Sequence, residues 1–502
     1  MPSTSATRRL PARPSRSRSF RRARSSRSRR SQSSERIEKY VASLGLDAYV
    51  VGGAVRDELL GVEAKDADFL VPGVDIPGLR ARLEPHGRTE ELVVAGRPVG
   101  VRHYPRDRAL RALVPAGIEL APPRREVSTG RGRHDFEIVV DPDAPIDVDL
   151  GRRDFTINAM ARHLADGVRV DPYGGEEDLK ARRLRTVSPS SFAEDPLRVV
   201  RGLRFVSQLD LDPDADTLAQ MRAEASGVRL VSGERVGGGL HADGMGELSK
   251  LLLGKQPAKA LRIARDTGVL VELLPEFEQA IGFQQESRYH DLSVDEHTFA
   301  VVQAAADGKA SLAVRLAALF HDLGKPHVAW RGTDDRLHYY AKPGYSARSH
   351  EQVSADLAAQ ALSRLRYPNE LRSRVIRIVR AHMFDPARSD PVRARRMLSR
   401  YGRRLTYELL DHKEADLRGK GDTPRQSELD RLARFRRVVD GELKSPHRLR
   451  DLAVSGDDLV ALGYAPGPPI GRALQELLDD VIRDPAQNTR EYLLERAKEL
   501  LG

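Results

Sequence analysis

A chain of 502 residues exceeds what one hydrophobic core supports, so about two to four domains are expected. With 40% hydrophobic and 31% charged residues it has an ordinary globular composition, and no stretch comes near the roughly 20 apolar residues of a membrane-spanning helix. Cysteine is absent, which excludes disulfides, thiolate metal sites and a cysteine nucleophile, and leaves His and carboxylates as metal ligands. The net charge of +10 resembles a nucleic-acid signal, yet residues 1–34 hold eleven Arg and no acid, so the rest of the chain sums to about −1. Any RNA grip in the folded part must therefore come from local clusters.

Residues 1–34 are low-complexity Arg/Ser, as in Arg16-Ser17-Arg18-Ser19, and lack the apolar side chains needed to offset ordering entropy. They read as a disordered tail without a specific role. An RNA-binding tail, a transit peptide or a misplaced start are the other readings. Residues 35–187 alternate short apolar runs with loops: Ala48–Val51 and Ala67–Val71 as strands, Ala54–Leu60 as the helix between them, and Ile118–Leu120 and Phe136–Val140 as further strands. From about Phe192 the helical period dominates, with breaks near Gly282–Asp291 and Gly419–Thr423.

Chemistry concentrates first in Val50-Val51-Gly52-Gly53-Ala54-Val55-Arg56-Asp57, followed by Asp66-Ala67-Asp68-Phe69. Glycines after a strand let backbone approach phosphate, and a helix N-terminus offers N–H groups to an anion. Alternate residues of a strand share a face, so Asp66 and Asp68 converge, and two such carboxylates are costly without a cation between them. Mg²⁺ suits one or two carboxylates plus substrate phosphates, and could activate a 3′-hydroxyl and stabilise a leaving pyrophosphate. In isolation, an Asp-x-Asp is more often a solvated strand end.

Downstream lie Arg152-Arg153-Asp154-Phe155-Thr156-Ile157-Asn158, Asp171-Pro172-Tyr173-Gly174-Gly175, and Glu194-Asp195-Pro196-Leu197-Arg198 running on to Arg201 and Arg204. With these four motifs in order, the chain resembles the class II tRNA nucleotidyltransferases (CCA-adding enzymes) and their bacterial poly(A) polymerase relatives, from about Ile37 to the C-terminus. The resemblance implies an α/β head with a polymerase-beta-like mixed sheet, then an all-α neck, an HD domain and C-terminal helices. It implies that Asp66 and Asp68 are the catalytic, metal-binding carboxylates and that Gly52, Gly53 and Arg56 hold the triphosphate. Arg152, Arg153 and Asp154 would position the nucleotide and its ribose, Asn158 would add a contact, and Glu194, Asp195 and Arg198 would read the incoming base. The implied partners are the tRNA 3′ end, ATP and CTP, in a cytoplasmic enzyme.

Base reading also stands on chemistry. Cytosine and adenine each place an exocyclic amino donor beside a ring-nitrogen acceptor, which a carboxylate and an Arg complement; guanine and uracil reverse that order. Asp195-Pro196 is equally a helix cap followed by proline. Arg198, Arg201 and Arg204 recur on one helix flank, usually a solvated basic face; beside a triphosphate Arg201 becomes a second phosphate contact. Three features depart from the family. Glu119 stands where relatives often have Asp, and its extra methylene argues against counting it as a ligand. Residues Arg102–Leu113 are unlike the usual segment. Gly237, Gly238, Gly239, Gly244 and Gly246 follow Glu234-Arg235-Val236, and at roughly 1 kcal/mol per interior Gly they disfavour a continuous helix.

In the second half, His297, the pair His321-Asp322, His350, His382 and Asp416 are spread over successive helical segments, from which they could meet on a divalent metal. His297, His321, Asp322 and Asp416 match the metal-binding pattern of the HD phosphohydrolase superfamily; His350 and His382 correspond to histidines that accompany some members. That implies Mg²⁺ or a divalent transition metal and a second, phosphohydrolase activity. The expected domains are 35–187 head, 188–285 neck, 286–420 HD and 421–502 C-terminal RNA-binding helices. Within the same class the alternatives are a poly(A) polymerase or an enzyme adding only CC or only A, set by loops around Ser128–His134. In another class stands an HD phosphohydrolase whose head only binds RNA.

Overall fold

The computed structural model describes residues 32–62, 68–94, 96–128, 136–238, 245–286, 292–386, 390–421 and 426–501. The Arg/Ser run up to residue 31, Asp66, and residues 129–134 of the loop expected to set the product lie outside them. Residues 32–34, read as part of the tail, belong to the first helix.

The head runs α1 (Gln32–Ser43), β1 (Tyr49–Val51), α2 (Gly53–Leu60), β2 (Asp68–Leu70), α3 (Ile76–Leu83), β3 (Gly87–Val94), β4 (Arg97–Pro105), α4 (Arg108–Leu113) and β5 (Ile118–Ala121). A separate antiparallel ribbon of β6 (Arg124–Ser128) and β7 (Phe136–Val140) follows, then α5 (Ile146–Gly151), β8 (Ala161–His163), β9 (Arg169–Val170) and α6 (Gly175–Lys180). The main sheet has the order β3-β4-β5-β2-β1-β8-β9. β2 and β5 pair in parallel and the other neighbours are antiparallel, which makes it the expected mixed sheet.

Strand alternation divides its two faces. Val50 and Phe69 enter the core formed with Ile37, Val41, Leu79 and Leu83, whereas Val51 and Leu70 pack on the opposite side with Leu150, Ala159 and Ala161. Asp68, two residues before Leu70, shares that second face. The register pairs it with Glu119 of β5. Two buried side chains fasten α1 over the first face. Arg162 reaches Glu58 (2.9 Å) and Glu38 (2.8 Å), and His103 stacks on Tyr40, whose hydroxyl meets its Nε2 at 2.7 Å.

The helical part comprises α7 (Ser191–Glu194), α8 (Leu197–Leu209), α9 (Ala215–Ala223), α10 (Gly233–Gly237), α11 (Glu247–Leu252), α12 (Pro257–Asp266) and α13 (Val269–Leu273). It continues with α14 (Val294–Asp307), α15 (Leu312–Phe320), α16 (Lys325–Val328), α17 (His350–Arg364), α18 (Asn369–Ala381), α19 (Pro391–Arg418) and α20 (Gln426–Glu442). One apolar core extends from Phe155 through these helices to Val439. The helix does break in the glycine-rich neck, after Gly237. A Cβ there would collide with the Leu365 carbonyl beyond α17, so the glycine permits a close backbone approach, and Gly238 turns the chain with φ 114°. The last helices, α21 (Gly456–Ala461), α22 (Pro468–Arg483) and α23 (Arg490–Leu501), bury their own cluster around Leu459, Leu477 and Leu493. Buried Arg395 ties them to α19, donating to the Ile482 carbonyl at 2.7 Å. Among the described residues no helix is long and apolar enough to cross a membrane.

Burial, with His86 nearby, pushes His103 down to about 4, so it is neutral in the folded head and accepts from Tyr40. A histidine depressed below its unfolded value of about 6.5 favours folding fully above that pH, and its contribution fades as the pH falls toward about 4. Acid titration of head stability should therefore show a decline across that window, which His103→Leu should flatten; Tyr40→Phe should cost about 1 kcal/mol in thermal unfolding.

Candidate functional site

The segment after α5 is organised by a carboxylate that the motif reading passed over. Asp149 is fully buried; burial favours its neutral form, but Arg152, Arg153 and Arg124 outweigh this and hold it below the ordinary carboxylate range. It receives Arg152 Nε at 2.9 Å and Arg153 Nη2 at 3.4 Å. Its signal in the sequence is only the i,i+3 and i,i+4 spacing to the two arginines. Arg153 then lies over Gly52: that glycine has φ 69°, and a Cβ on it would collide with Arg153 Nη1. The Gly-Gly turn thus admits a guanidinium here.

Asp68, Glu119, Arg102, Arg124, Asp149, Arg152 and Arg153 line one cleft of about 430 Å³. Asp68 is exposed at the N-terminal end of β2 and contributes to the electrostatics of Arg153. Glu119, discounted for its length, presents its carboxylate in this same cleft, with Arg102 Nη2 at 2.5 Å. Its register opposite Asp68 puts two acids on adjacent strands, about 5 Å apart in the pairing direction. The extra methylene leaves the group within the cleft, so length alone did not remove it.

Arg56, Asn158, Asp154 and Arg201 form a connected polar chain. Arg56 holds Asp57 at 2.7 Å and donates to Asn158 Oδ1 at 2.6 Å; Asn158 Nδ2 donates to Asp154 Oδ1 at 2.9 Å. Arg201 reaches Asp154 Oδ2 at 2.7 Å and Glu247 of α11 at 3.7 Å, and Arg204 meets Glu247 at 3.1 Å while lying over Phe205. The basic flank of α8 is therefore a row of ion pairs facing neighbouring elements. Burial alone would raise Asp154, but Arg201, Asn158 and Arg198 bring it down to about 2.

At the start of α8 the cap position is Pro196 itself, one residue later than the capping reading; Asp195, just before it, accepts the Leu197 N–H at 3.1 Å and pairs with Arg235 at 3.0 Å. Arg235, from α10, was named only as part of the neck. Glu194 Oε2 receives Arg198 Nη1 at 3.0 Å, and Arg198 Nη2 donates to the Arg152 carbonyl at 2.8 Å. Asp195 and Arg198 thus have different partners, and Arg198 links the base-reading segment to the Arg152 segment. Gly53, opening α2, adjoins Arg56.

The second cluster lies among α14, α15, α17, α18 and α19. His297, His321 and Asp416 bring ligand atoms within 4.8 Å of one another, and Asp322, His350 and His382 do the same. Asp322 joins the trios: its Oδ2 lies 3.3 and 3.2 Å from His297 and His321 Nε2, its Oδ1 3.5 and 3.7 Å from His350 and His382 Nε2. Each ring is set by a backbone carbonyl at Nδ1: Gly419 for His297 (3.0 Å), Ala318 for His321 (2.9 Å), Tyr339 for His350 (3.3 Å) and Val379 for His382 (2.7 Å). Nδ1–H donation leaves the Nε2 lone pairs pointing inward, the arrangement of metal-ligating histidines. Two Nε2···Nε2 approaches of 3.3 Å then set lone pairs against each other, which a cation relieves. This donor set fits two divalent ions sharing Asp322. His412, absent from the motif reading, is buried behind these rings, 5.2 Å from that of His321, and burial pushes it down to about 3. Among the described residues neither ring nitrogen has a partner.

Residues 48–185 match the family "Poly A polymerase head domain", 210–281 "Probable RNA and SrmB- binding site of polymerase A", and 294–418 "HD domain". The chain is 38% identical over 343 residues to a multifunctional CCA protein of Azoarcus sp. (strain BH72), covering 66% of this chain and 73% of that protein. It is 35% identical over 350 residues to that of Ralstonia nicotianae, covering 68% and 73%. In fold it is similar to the Bacillus stearothermophilus CCA-adding enzyme solved in complex with CTP, with a TM-score of 0.63 at 22% identity over 93% of this chain and 96% of that one. The Thermotoga maritima CCA-adding enzyme complexed with tRNA is similar too, at TM-score 0.56 and 21% identity over 93% and 94%. With that identity to the Azoarcus protein over nearly three quarters of its length, the chain belongs to the multifunctional CCA protein family, CCA-adding nucleotidyltransferases that carry an HD domain.

Proposed function

We propose that this protein completes or repairs the 3′ end of tRNA by adding C and A from CTP and ATP in the cleft of Asp68, Arg152 and Arg153. The observation that carries this is the exposed Asp68 carboxylate beside two arginines that Asp149 holds in the same cleft. The RNA 3′-oxygen attacks the α-phosphate, its proton leaves, and pyrophosphate departs. Asp68 and Asp66, with Glu119 alongside, would hold Mg²⁺, which when bound would neutralise charge at the α-phosphate and the leaving group. Arg152 and Arg153 stand where a triphosphate would meet positive charge. Base selection falls to Glu194, Asp195 and Arg198, whose acceptor and donor groups complement C and A. Arg56, Asn158, Asp154 and Arg201 would keep the turn after β1 and helix α8 at a fixed separation around the nucleotide. With the head extended back to the start of α1, the limits 32–187, 188–285, 286–420 and 421–502 serve as the working division into head, neck, HD and C-terminal parts.

A second activity is favoured by the six converging ligands of the other cluster. His297, His321 and Asp416 would hold one divalent ion and His350 and His382 another, with Asp322 between them. When bound, such ions supply Lewis-acid activation for hydrolysis of a phosphate ester. Water adds to phosphorus, one P–O bond breaks, and the leaving oxygen takes the proton. Lys325, 2.7 Å from Asp322, and Lys413, 3.2 Å from Asp416, orient those carboxylates.

Asp68→Ala should lower nucleotide addition to tRNA lacking its 3′ CCA by about 10³-fold or more, leaving phosphate-ester hydrolysis intact, while Asp322→Ala should do the reverse. If Asp68→Ala added nucleotides normally, the head would be reduced to RNA binding. Separate incubations with each triphosphate and sequencing of products distinguish CCA addition from poly(A) or partial addition. Arg201→Ala should cost about 3 kcal/mol by leaving Asp154 buried with too few partners. Because Asp154 sits near 2 against about 3.9 unfolded, its contribution is present above the higher value and lost toward the lower; Arg201→Ala raises the folded value toward the unfolded one, so the Asp154-linked loss between the two should shrink in acid unfolding.

A further inference from the structure

A cavity of about 600 Å³ opens over the HD ligands and is walled on one side by Met383 and Phe384. Phe384 also lines a second, adjoining cleft of about 240 Å³, floored by the first half of α19 and edged by Arg393, Arg396, Arg400 and Tyr401. The spacing i, i+3, i+7 puts the three arginines on one helix face over about 10 Å, the length of a short run of backbone phosphates.

Three other arginines of α19 have carboxylate partners. Arg395 pairs with Glu442 (2.8 Å), Arg404 with Glu370 (3.3 Å) and Arg418 with Glu414 (2.9 Å). Among the described residues, Arg393, Arg396 and Arg400 have no carboxylate partner, and no acid lines their cleft. Arg400 and Arg377 instead lie over the Tyr401 ring at 5.4 and 5.9 Å. Met383, which lines the larger cavity beside the shared Phe384, is 56% exposed despite being apolar. Unpaired guanidiniums in line, with the aromatic rings of Tyr401 and Phe384 in the same cleft, suit phosphates and unstacked bases of a single strand.

We propose that this cleft is the entry track for a single-stranded RNA 3′ end whose terminal phosphate ester reaches the HD cavity. The proposal rests on the hydrolytic reading of that cavity and names its substrate: a polynucleotide end in preference to a free nucleotide. Arg393, Arg396 and Arg400 hold the backbone, and Phe384 and Met383 guide the last base inward.

The test uses the full chain, loaded with a divalent metal, on an RNA of about 12 nucleotides ending in a 2′,3′-cyclic phosphate, beside the corresponding cyclic mononucleotide. The triple variant Arg393→Gln/Arg396→Gln/Arg400→Gln, checked for an unchanged unfolding temperature, should raise KM for the RNA at least tenfold and leave kcat and mononucleotide hydrolysis unchanged. The salt dependence of its log KM should become shallower by about 2, at about 0.7 per lost phosphate contact. Equal KM in variant and wild type overturns the track. So does a variant that slows nucleotide addition to tRNA while hydrolysing the RNA end normally, since the cleft would then serve the head. If the wild type hydrolyses neither compound, the hydrolytic reading fails by itself. The track is then judged by crosslinking the same RNA carrying 4-thiouridine next to its 3′ end: adducts in the peptide from Phe384 to Tyr401 uphold it, and adducts only elsewhere overturn it.

Discussion

A buried ladder of carboxylates and guanidiniums holds the catalytic half of this protein together. Asp57, Arg56, Asn158, Asp154, Arg201 and Glu247 touch in sequence, and they belong in turn to the helix after β1, the turn before β8, the long helix α8 and the neck helix α11. Asp154 and Glu247 are buried in it, Asp154 held by Asn158 and Arg201 and Glu247 by Arg201 and Arg204. Deleting one leaves a buried charge, at a cost of about 3–5 kcal/mol, whereas no single link is strong evidence for net stabilisation. What the ladder provides is position. The sheet carrying Asp68 and the helix carrying Arg198 cannot drift apart without breaking it, and Arg198 closes a second link onto the Arg152 carbonyl.

The same logic, with other chemistry, governs the second site. Four histidines are turned inward by four backbone carbonyls, and a single aspartate faces both halves of the cluster. Lysines stand behind the two carboxylates. The helices that supply these groups share one apolar core with the neck, so α8 and the HD helices are packed parts of one body of side chains. The C-terminal helices keep a separate core and are joined to α19 through Arg395.

The sequence was readable where local rules decide structure. Short β-branched runs, Gly52-Gly53 and the break in the neck glycines each act within a few residues, and the strand–turn–helix of the head appears where those rules put it. Asp68 was readable for the same reason, since strand alternation decides which way it faces. What could not be read is pairing across the fold. Arg235 and Glu247 have no motif of their own; they matter because tertiary contact brings Asp195 to the first and Arg201 and Arg204 to the second, while Asp149 is marked only by its spacing to Arg152 and Arg153. The flank Arg198–Arg201–Arg204 looked solvated because nothing local announces that Asp154 and Glu247 cover it. Glu119 was set aside on side-chain length, while its register opposite Asp68 was invisible without the sheet. In the HD region the ligand types and order were legible, but not the role of Asp322 in joining two trios, nor the placement of His412 behind them.

The central claim is that the cleft of Asp68, Arg152 and Arg153 receives the triphosphate while the start of α8 reads the base. A crystal structure of the protein with Mg²⁺, CTP and a tRNA ending before the CCA sequence tests it most directly. The account predicts the phosphates between Asp68 and the two arginines, with the cytosine amino group and ring nitrogen facing Asp195 and Arg198. CTP bound away from β2, or a base held by residues outside the 194–198 segment, would contradict it.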